Sequence, residues 1–395
     1  MNYPKVILKP GKEQSLLRFH PWVFSGAIKT TYDSPSEGDV VEVYSADNHF
    51  LATGHFHAGS ISVRVLSFKK DTINDDFWRN RLDEALTNRK LLGLYPNAET
   101  DIFRLVHGEG DNLPGLIVDI YGNTAVMQCH SIGMYLIRHT VAKQIVEIFG
   151  GSVKAVYDKS SGTLPLREKY SPIDEFIAGQ GNLSGINREY GNRFLVSWDE
   201  GQKTGFFIDQ RENRRLVQAY SKGLKVLNLF GYTGGFTVYA LRGGASKAVT
   251  IDSSERAIAL SEQNIAENFG STSKHTAATV DAFEYLRTTS EMFDLIILDP
   301  PAFAKHQASI KNALQAYKRL NLAAIRKLNP GGKLFTFSCS QVVSKTDFRN
   351  AVFSACAISG REAAILYQLS QPADHPVNIY HPEGEYLKGL VLRVK

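Results

Sequence analysis

Two residues of this sequence stand where chemistry is expected, each directly after an apolar run. Cys339 follows LFTFS and lies between two serines, and Asp299 follows DLIIL and precedes two prolines. A cysteine acts as a nucleophile once its thiol is deprotonated, whereas a carboxylate accepts or returns a proton. A free cysteine is more often a small buried hydrophobic residue, and we interpret Cys129 and Cys356 in that way.

A glycine-rich turn follows another apolar run, in VLNLFGYTGGFTVYA (Val226–Ala240). The run ends at Phe230, and the turn leads into a predicted helix whose first N–H groups have no partner within the helix. Glycines such as Gly231 and Gly234 serve where the chain turns sharply and a ligand approaches the backbone closely. The spacing is not GxGxxG. It resembles the first motif of class I methyltransferases, where the turn holds the amino-acid end of S-adenosylmethionine.

Acidic residues end the next two predicted strands. Asp252 stands where a carboxylate accepts hydrogen bonds from ribose hydroxyls, and Asp281 is predicted to contact the adenine amino group. Either residue alone would also suit a helix N-cap. Because ligands lie at the carboxyl ends of parallel strands, these stretches together predict an S-adenosylmethionine site rather than an NAD site. The predicted cofactor-binding residues are Asp209, Gln210, Arg211, Asn228, Phe230, Gly231, Gly234, Asp252, Ser253, Asp281, Ala282 and Asp299.

The Asp-Pro-Pro sequence at Asp299 is typical of methyltransferases that act on planar nitrogens or nucleobases. A helix-initiating turn explains Pro301 but not the whole set. Methylation of an exocyclic nitrogen needs no cysteine, whereas carbon 5 of a pyrimidine is a poor nucleophile. A thiolate that adds to carbon 6 gives an enamine that attacks the sulfonium methyl group, after which a base removes the carbon-5 proton and the cysteine leaves. Cys339 therefore predicts 5-methylcytosine or 5-methyluracil chemistry.

These residues fall in a half of the chain, from about Asn187, where strand-like and helix-like runs alternate. The pattern predicts a Rossmann-like α/β domain with a seven-stranded mixed sheet, whose last two strands pair antiparallel. The predicted strands are Lys225–Phe230, Ala248–Asp252, Thr276–Val280, Leu295–Asp299, Lys333–Ser338, Ala363–Leu369 and Leu387–Val394. The predicted helices are Thr233–Arg242, Glu255–Phe269, Ala282–Leu286, Ala308–Lys327 and Lys345–Ala357.

Two smaller units are predicted upstream of this half. Alternating apolar runs near Lys5–Lys9, Asp39–Tyr44, Phe50–Phe56 and Ile61–Phe68 predict a small β-barrel. A helix over Asp75–Leu92, a β-meander, a helix over Ile137–Phe149 and a strand over Val153–Asp158 then predict an α+β unit. We therefore expect three domains, over residues 1–70, 71–186 and 187–395.

The segment Trp198–Leu216 allows two interpretations. It combines aromatic, acidic and basic residues and shows no clear period in its first half. The structural interpretation is a hairpin that leads into a helix from Gln210. The functional interpretation is a lid over the cofactor, with Asp209, Gln210 and Arg211 as its contacts.

Composition sets the broad class of protein. Apolar residues make up 43% and charged residues 22% of the chain, as in globular proteins. The net charge of +5 suits a nucleic-acid partner without requiring one. No apolar run reaches the length of a signal peptide or a membrane span, and the three widely spaced cysteines predict neither disulfides nor a zinc site. We expect a cytoplasmic protein that has no metal.

Several long motifs together resemble the ribosomal RNA large subunit methyltransferase I family, which uses S-adenosylmethionine to make 5-methylcytosine in 23S ribosomal RNA. The resemblance covers nearly the whole chain. The motifs are HPWVFSGAI (His20–Ile28), DNLPGLIVDIYG (Asp111–Gly122), KTGFFIDQRENR (Lys203–Arg214), NLFGYTGGF (Asn228–Phe236), LDPPAFAK (Leu298–Lys305), FSCS (Phe337–Ser340) and DHPVNIYHPEGEYLKGLVLRV (Asp374–Val394).

The resemblance implies roles for individual residues. Cys339 matches the nucleophile, Gly231 and Gly234 the cofactor turn, Asp252 the ribose ligand, Asp281 the adenine contact and Asp299 the acid of the fourth motif. Many RNA 5-methylcytosine enzymes carry a second cysteine in that motif, which DPPAF lacks. Either Asp299 or water must then remove the carbon-5 proton.

The resemblance also implies a PUA-type RNA-binding domain at the N-terminus and a homodimer, although no stretch of sequence identifies a subunit interface. Lys9, Arg18 and His20 are the predicted RNA contacts, and Trp22 and Phe24 are interpreted as core residues of the barrel. A target base in folded RNA must be flipped out or already single-stranded. The alternatives are a methyltransferase that acts on a base amine without covalent catalysis, and a non-catalytic RNA-binding or ribosome-assembly factor.

Overall fold

The computed structural model describes residues 3–395, and the chain divides into two compact units. The first unit comprises the chain up to Arg188, together with Val196–Ile208 and Ala373–Gly384. The second comprises Glu189–Leu195, Asp209–Pro372 and Glu385–Lys395. No helix within residues 3–395 is long and apolar enough to cross a membrane.

The first unit begins with six strands in one mixed sheet of order β2-β6-β5-β4-β1-β3. Strands β1 and β4 run parallel, and the other neighbours run antiparallel. The elements are β1 (Lys5–Leu8), α1 (Gln14–Leu17), β2 (Trp22–Phe24), β3 (Ile28–Thr31), β4 (Val40–Tyr44), β5 (Phe50–Phe56) and β6 (Ile61–Ser67). The predicted all-β character is confirmed. Strands β2 and β3 were not predicted, because they are only three and four residues long and are separated by a 3₁₀ turn.

Five further strands form a second mixed sheet of order β11-β10-β9-β8-β7, against which α2 and α4 supply apolar side chains. The elements are α2 (Asp75–Leu91), β7 (Ile102–His107), β8 (Leu116–Tyr121), β9 (Thr124–Cys129), α3 (Ile132–Leu136), α4 (Arg138–Ile148), β10 (Ala155–Asp158), α5 (Arg167–Tyr170) and β11 (Glu175–Ala178). This α+β character agrees with the sequence, although the short strand β11 was not predicted. The domain boundaries after residues 70 and 186 stay predictions.

A buried arginine joins the second sheet to the segment Ala373–Gly384 of the same unit. Arg89 on α2 donates to both carboxylate oxygens of Asp111, at 2.6 and 2.7 Å, and to the Asp374 carbonyl at 2.9 Å. The Asp374 carboxylate accepts from the Arg104 backbone N–H at 3.0 Å. Because a buried charge is costly without its partners, these bonds fix the place of the segment.

The second unit is built on a seven-stranded sheet of order β16-β15-β14-β17-β18-β20-β19. Its strands are β14 (Lys225–Leu229), β15 (Lys247–Asp252), β16 (His275–Thr279), β17 (Phe293–Leu298), β18 (Leu328–Ser338), β19 (Ala363–Leu369) and β20 (Lys388–Val394). Its helices are α6 (Arg211–Tyr220), α7 (Gly235–Arg242), α8 (Glu255–Phe269), α9 (Ala282–Thr288), α10 (Ile310–Ile325) and α11 (Lys345–Ser359). Strands β12 (Ser184–Glu189) and β13 (Asn192–Ser197) form a separate two-stranded sheet.

The direction of the strands decides where the functional side chains meet. Strands β14 to β18 run parallel, and β20 and β19 join antiparallel, as predicted for the last two strands. The strand order reverses at β14, which has β15 on one side and β17 on the other. Ligands of open α/β sheets bind outside the carboxyl ends of the strands at such a reversal. The Rossmann-like prediction is confirmed, and Asp252 and Cys339 lie at this edge of the sheet.

Candidate active site

The turn after β14 adopts backbone conformations that few side chains tolerate. Phe230, Tyr232 and Gly234 have φ values of 59°, 45° and 76°. The Gly231 N–H donates to the Ile251 carbonyl at 2.9 Å, and the Gly234 N–H donates to the Gly231 carbonyl at 2.8 Å. Two non-glycine residues with positive φ mark a strained turn, and such strain concentrates at functional sites.

The two glycines of the turn are required by the packing of the protein itself. A Cβ at Gly231 would lie 2.5 Å from Cγ2 of Thr250, and a Cβ at Gly234 would lie 2.3 Å from Oγ of Ser261. Both distances are shorter than side-chain atoms allow. Gly231 and Gly234 are thus required by the close packing of the turn on β15 and α8, in addition to the predicted close approach of a ligand.

Asp252 is available to a ligand at the end of β15. Its two carboxylate oxygens accept from the backbone N–H groups of Tyr232, at 2.9 Å, and Ser254, at 3.0 Å. The N-cap of α8 is Ser254, so Asp252 does not have that role. A carboxylate accepts about four hydrogen bonds, so the partly exposed Asp252 retains acceptors for the two hydroxyls of a ribose. The acceptor oxygens of Asp252 at this strand end therefore fit an adenosyl ligand.

Asp281 is the N-cap of α9. One of its carboxylate oxygens accepts from the backbone N–H groups of Phe283 and Glu284, at 2.9 and 3.0 Å. The N-cap interpretation that the sequence left open is therefore correct for Asp281. Its side chain is exposed, and contact with an adenine ring stays a prediction. Ala282 is buried, whereas Ser253 beside Asp252 is exposed.

A chain of buried polar side chains lies beneath the turn. The Asn228 amide donates to Thr237 at 3.0 Å, the hydroxyls of Thr237 and Thr250 are 2.7 Å apart, and Thr250 lies 2.9 Å from Nε2 of His275. Burial lowers the pKa of His275 to about 4, so its ring is neutral. The Asn228 side-chain oxygen is buried without a hydrogen bond among the described residues. Apart from Asn228, sequence analysis missed this chain, although a threonine in the apolar strand KAVTID was a usable signal.

The segment before α6 brings a second carboxylate to the site. One oxygen of Asp209 accepts from the Tyr386 hydroxyl at 2.8 Å, and its other oxygen is buried without a hydrogen bond among the described residues. Gln210 is buried and hydrogen-bonds to the Asp299 side chain. Arg211 is also buried, and its Nε lies 3.2 Å from the Glu212 carboxylate. Asp209 and Gln210 thus converge on Asp299, and the binding of cofactor by these residues stays a prediction.

The hairpin expected from Trp198 is absent from the described residues. Residues 198–207 form turns and bends without strand pairing, because the hairpin lies earlier, between β12 and β13. The expected helix begins at Arg211, one residue after the predicted start. A role of this segment as a lid stays a prediction.

The carboxyl group of Asp299 has a pKa above its ordinary value. Burial raises the pKa of its carboxyl group to about 7, and the neighbouring Asp209 carboxylate adds to the increase. The hydrogen bond from Gln210 and the charge of Arg214 act in the opposite direction. A carboxyl group with a pKa near neutrality exchanges a proton readily at physiological pH, as a general acid or base must.

Cys339 follows the end of β18 beside the Asp-Pro-Pro turn. Its partly exposed thiol donates to the Pro300 carbonyl across a sulfur–oxygen distance of 3.8 Å. Cys129 is fully buried and burial raises the pKa of its thiol, so it is inert as the sequence suggested. Cys356 is partly buried, and burial also raises the pKa of its thiol. The structure thus brings Cys339 and the Asp299 turn together from neighbouring parallel strands.

A buried lysine that the sequence analysis missed lies next to Cys339. Lys388 on β20 pairs with Ser338 on β18, and its Nζ donates to the carbonyls of Ser340, at 2.6 Å, and Val343, at 2.8 Å. Burial lowers the pKa of Lys388 to about 8, and the proximity of Cys339 opposes that shift. A cation beside a cysteine stabilises its thiolate form.

The three predicted RNA-binding residues lie in the first unit. Lys9 and Arg18 are exposed, and the Lys9 ammonium donates to the Gly26 carbonyl at 2.9 Å. His20 is partly buried, and its Nδ1 accepts from the Trp22 backbone N–H at 3.2 Å. Trp22 is half-buried, but Phe24 is 47% exposed, so the assignment of Phe24 to the core is wrong. The side chain that fills the core from β2 is that of Val23.

Comparison with known proteins agrees with this fold. Residues 6–68 match the PUA-like domain, and residues 143–375 match the S-adenosylmethionine-dependent methyltransferase family. The chain is 38% identical to ribosomal RNA large subunit methyltransferase I of Aeromonas hydrophila, over 99% of both chains. It is 36% identical to the protein of that name from Salmonella paratyphi C, over 100% of this chain and 98% of that one.

Solved structures show the same fold. A putative SAM-dependent methyltransferase from Streptococcus mutans aligns over 100% of both chains with a TM-score of 0.84 and 23% identity. A putative methyltransferase complexed with SAH aligns over 100% of both chains with a TM-score of 0.85 and 24% identity.

The fold and the strand-end site define an S-adenosylmethionine-dependent methyltransferase with a PUA-like N-terminal domain. Within that class, the chain belongs to the ribosomal RNA large subunit methyltransferase I family. The cofactor is therefore S-adenosylmethionine, as the sequence predicted. The contacts of the individual site residues with it stay predictions.

The packing of the glycine turn can be tested with Gly234→Ala. We expect this change to weaken binding of S-adenosylhomocysteine by at least about tenfold, because a Cβ strains the positive φ and also collides with Ser261. Gly223→Ala is the matched control, since Gly223 has a φ of 73° but a Cβ there would meet no atom within 4 Å. Isothermal titration calorimetry measures both variants, and equal affinities in the two would contradict the assignment.

The influence of Lys388 can be tested by the reactivity of Cys339 with iodoacetamide. We expect Lys388→Met to raise the pH of half-maximal alkylation by about one unit, because the cation that stabilises the thiolate is lost. Mass spectrometry of the Cys339 peptide over a pH series measures the shift. Lys333→Met, on β18, is the control, and an unchanged alkylation profile in a folded Lys388→Met variant would exclude the electrostatic role.

Proposed function

We propose that this protein methylates carbon 5 of a cytosine in 23S ribosomal RNA through a covalent bond from Cys339. The observation that carries the proposal is the position of the Cys339 thiol, 3.8 Å from the Pro300 carbonyl in the turn that begins with Asp299. Methylation of an exocyclic amine requires no such nucleophile. Full-length relatives named ribosomal RNA large subunit methyltransferase I support an RNA substrate.

Cys339 acts as the nucleophile in this proposal. Its thiolate adds to carbon 6 of the pyrimidine, and the electron pair of the C5–C6 double bond then makes carbon 5 nucleophilic. The buried Lys388 ammonium favours the thiolate before the addition. S-adenosylmethionine, when bound, would supply an electrophilic methyl group to carbon 5 and would leave as S-adenosylhomocysteine. Gly231, Gly234 and Asp252 are the residues best placed to hold it.

Asp299 removes the carbon-5 proton in this proposal, where the sequence left open a choice between Asp299 and water. Its pKa of about 7 suits a group that must accept a proton and then release it near neutral pH. As the C5–H bond breaks, its electron pair restores the C5–C6 double bond, and the bond from carbon 6 to sulfur breaks. The cysteine leaves as a thiolate, and the proton stays on the Asp299 carboxyl group until solvent removes it.

The first unit binds the RNA in this proposal. Lys9 and Arg18 are exposed cations that suit phosphate groups, and His20 lies near them in the sequence. The target cytosine reaches Cys339 only when it is unpaired or flipped out of a helix. With ribosomal RNA as substrate, we also propose that the protein works in the cytoplasm.

The exposed edge of the large sheet supports a homodimer, which we propose as the working form. Strand β19 pairs with β20 on one side, and within residues 3–395 no strand pairs with its other side. Ile365, Leu366 and Tyr367 are 38%, 38% and 41% exposed. An unprotected edge strand that carries apolar side chains is a template for pairing with another chain.

Covalent catalysis predicts that Cys339→Ala lowers methyl transfer to protein-free 23S ribosomal RNA by at least about a thousandfold, because the nucleophile is lost. Binding of S-adenosylhomocysteine should stay within about twofold, as the thiol is not needed to hold the cofactor. Mass spectrometry of the RNA nucleosides measures the product, and Cys356→Ala is the matched control. Full activity of Cys339→Ala would favour methylation of a base amine, and wild-type protein that binds no cofactor would favour an assembly factor.

If the protein dimerises through β19, lysine substitutions on this strand should lower the mass at which it sediments. We expect wild-type protein to sediment as a dimer and the double variant Ile365→Lys, Leu366→Lys to sediment as a monomer, because opposed lysines repel across a strand pair. Leu91→Lys, at a position that is 82% exposed on α2, is the control for an added surface charge. A monomeric wild-type protein at micromolar concentration would exclude the proposal.

A further inference from the structure

We propose that an exposed cluster of aromatic rings in the first unit stacks on unpaired nucleotides of the RNA substrate. The cluster consists of Phe19, Phe68 and Tyr380 and is called the aromatic platform. The Phe19 ring centroid lies 5.2 Å from that of Phe68, with the rings edge to face, and 5.3 Å from that of Tyr380. None of these residues belongs to the proposed catalytic centre.

The platform is open to solvent although it is apolar. Phe19 is 48% exposed and Tyr380 is 49% exposed, and their sequence neighbours Leu17 and Ile379 are 57% and 83% exposed. Contiguous exposed apolar groups on a soluble protein mark an interaction surface more often than isolated ones do. The platform is therefore a candidate binding surface.

Tyr380 is held in place by the fold. It belongs to the segment Ala373–Gly384, which Arg89 and Arg104 fix through their bonds to Asp374. The Tyr380 backbone N–H also donates to the Asn378 side chain at 2.9 Å, and the Asn378 amide donates to the Glu109 carbonyl at 3.4 Å. Tyr380 is thus held in place before RNA binds, which reduces the conformational entropy lost on binding.

Phe19 occupies a backbone position that favours glycine. Its φ is 61°, and it follows Arg18, the C-cap of α1. The Phe19 N–H donates to the Leu16 carbonyl, and the His20 N–H donates to the Ser15 carbonyl, each at 2.9 Å. These two bonds form a Schellman motif, in which glycine is the usual residue at the position of Phe19. A bulky, half-exposed ring at this position costs stability, and strained positions of this kind concentrate at functional sites.

The positive charges beside the aromatic platform favour RNA as the molecule that binds there. Arg18 precedes Phe19 and Lys69 follows Phe68 in the chain, and both cations are exposed. Neither forms an ion pair with a carboxylate in the part of the chain that the structure describes. Aromatic rings flanked by free cations are the combination that binds single-stranded nucleic acid, in which bases stack on rings and phosphates meet cations.

The inference rests on the proposed function only in taking RNA as the substrate, and it is independent of covalent catalysis. The test uses the full-length protein and fluorescence anisotropy with two probes, a fluorescein-labelled single-stranded RNA and a labelled RNA duplex of the same sequence. We expect Phe19→Gly and Tyr380→Ala each to weaken binding of the single strand by about tenfold or more, since a stacked base is lost. Binding of the duplex should change less than about twofold, because its bases are already stacked.

Three controls separate binding from folding. Phe19→Gly should keep or raise the melting temperature, because glycine suits the positive φ. Tyr380→Phe should retain the affinity, because the ring is kept. Tyr32→Ala removes another aromatic side chain of the same unit, one that is 55% exposed, and should leave the affinity unchanged.

The outcomes distinguish the inference from the proposed function. Loss of single-strand affinity with an unchanged melting temperature would support the platform. If the wild-type protein binds RNA and both ring-removing variants bind it equally well, the platform is excluded while the proposed function stands. A change in sedimentation with no change in RNA affinity would instead show a protein contact and would overturn the inference. Failure of the wild-type protein to bind either probe would contradict the proposed function itself.

Discussion

The buried ion pair between Glu189 and Arg214 fixes the elements around the reaction centre. Arg214 on α6 donates to both oxygens of the Glu189 carboxylate, at 2.8 and 2.7 Å, and the Tyr239 hydroxyl on α7 donates to the same carboxylate at 2.9 Å. Removal of one partner from such a pair costs about 3–5 kcal/mol, so the two helices cannot shift independently. Helix α6 follows directly on Asp209 and Gln210, and α7 begins at the end of the glycine turn. The positions of Asp209, Gln210 and the glycine turn therefore depend on one interaction.

Burial determines the acidity of the groups at this sheet edge. It raises the pKa of Asp299 to about 7 and lowers the pKa of Lys388 to about 8, because in each case it disfavours the charged form. The pKa of Asp299 is thereby raised towards 7, and the pKa of Lys388 is lowered towards 7. An acid and a base that titrate near the pH of the cell can exchange protons without a large free-energy cost in either direction. The partly exposed Cys339 thiol lies between them in the strand order, since β18 separates β17 from β20.

Local sequence patterns were sufficient to predict those features whose residues lie close together in the chain. The strand–turn–helix at Gly231, the acid at the end of β15 and the Asp-Pro-Pro turn each have a signature within a few residues, and parallel strands bring them to one edge. Lys388 has no such signature. Its proximity to Cys339 arises because β20 inserts antiparallel between β18 and β19, which is a property of the tertiary fold.

The wrong assignment of Phe24 to the core has a similar cause, because the burial of a strand residue depends on the face that it occupies in the folded sheet. In a strand, successive side chains point to opposite faces, so Val23 fills the core while Phe24 is exposed. The hydrophobicity of HPWVF alone does not show which of its residues face inward. The close packing of Gly231 and Gly234 could not be predicted, because Thr250 and Ser261 contact the turn only in the folded chain.

The path of the chain through the first unit has a consequence for protein synthesis. This unit contains Arg188 and residues before it, yet it also includes Ala373–Gly384, so the ribosome must translate the intervening stretch before the unit has all its parts. At about 5–20 residues per second, the stretch between Arg188 and Ala373 takes on the order of 10–40 s. During that time Arg89 can meet Asp111 but lacks the Asp374 carbonyl, and the Arg104 N–H lacks its acceptor. The part of this unit that precedes Arg188 is thus completed only after the much later segment Ala373–Gly384 has been synthesised.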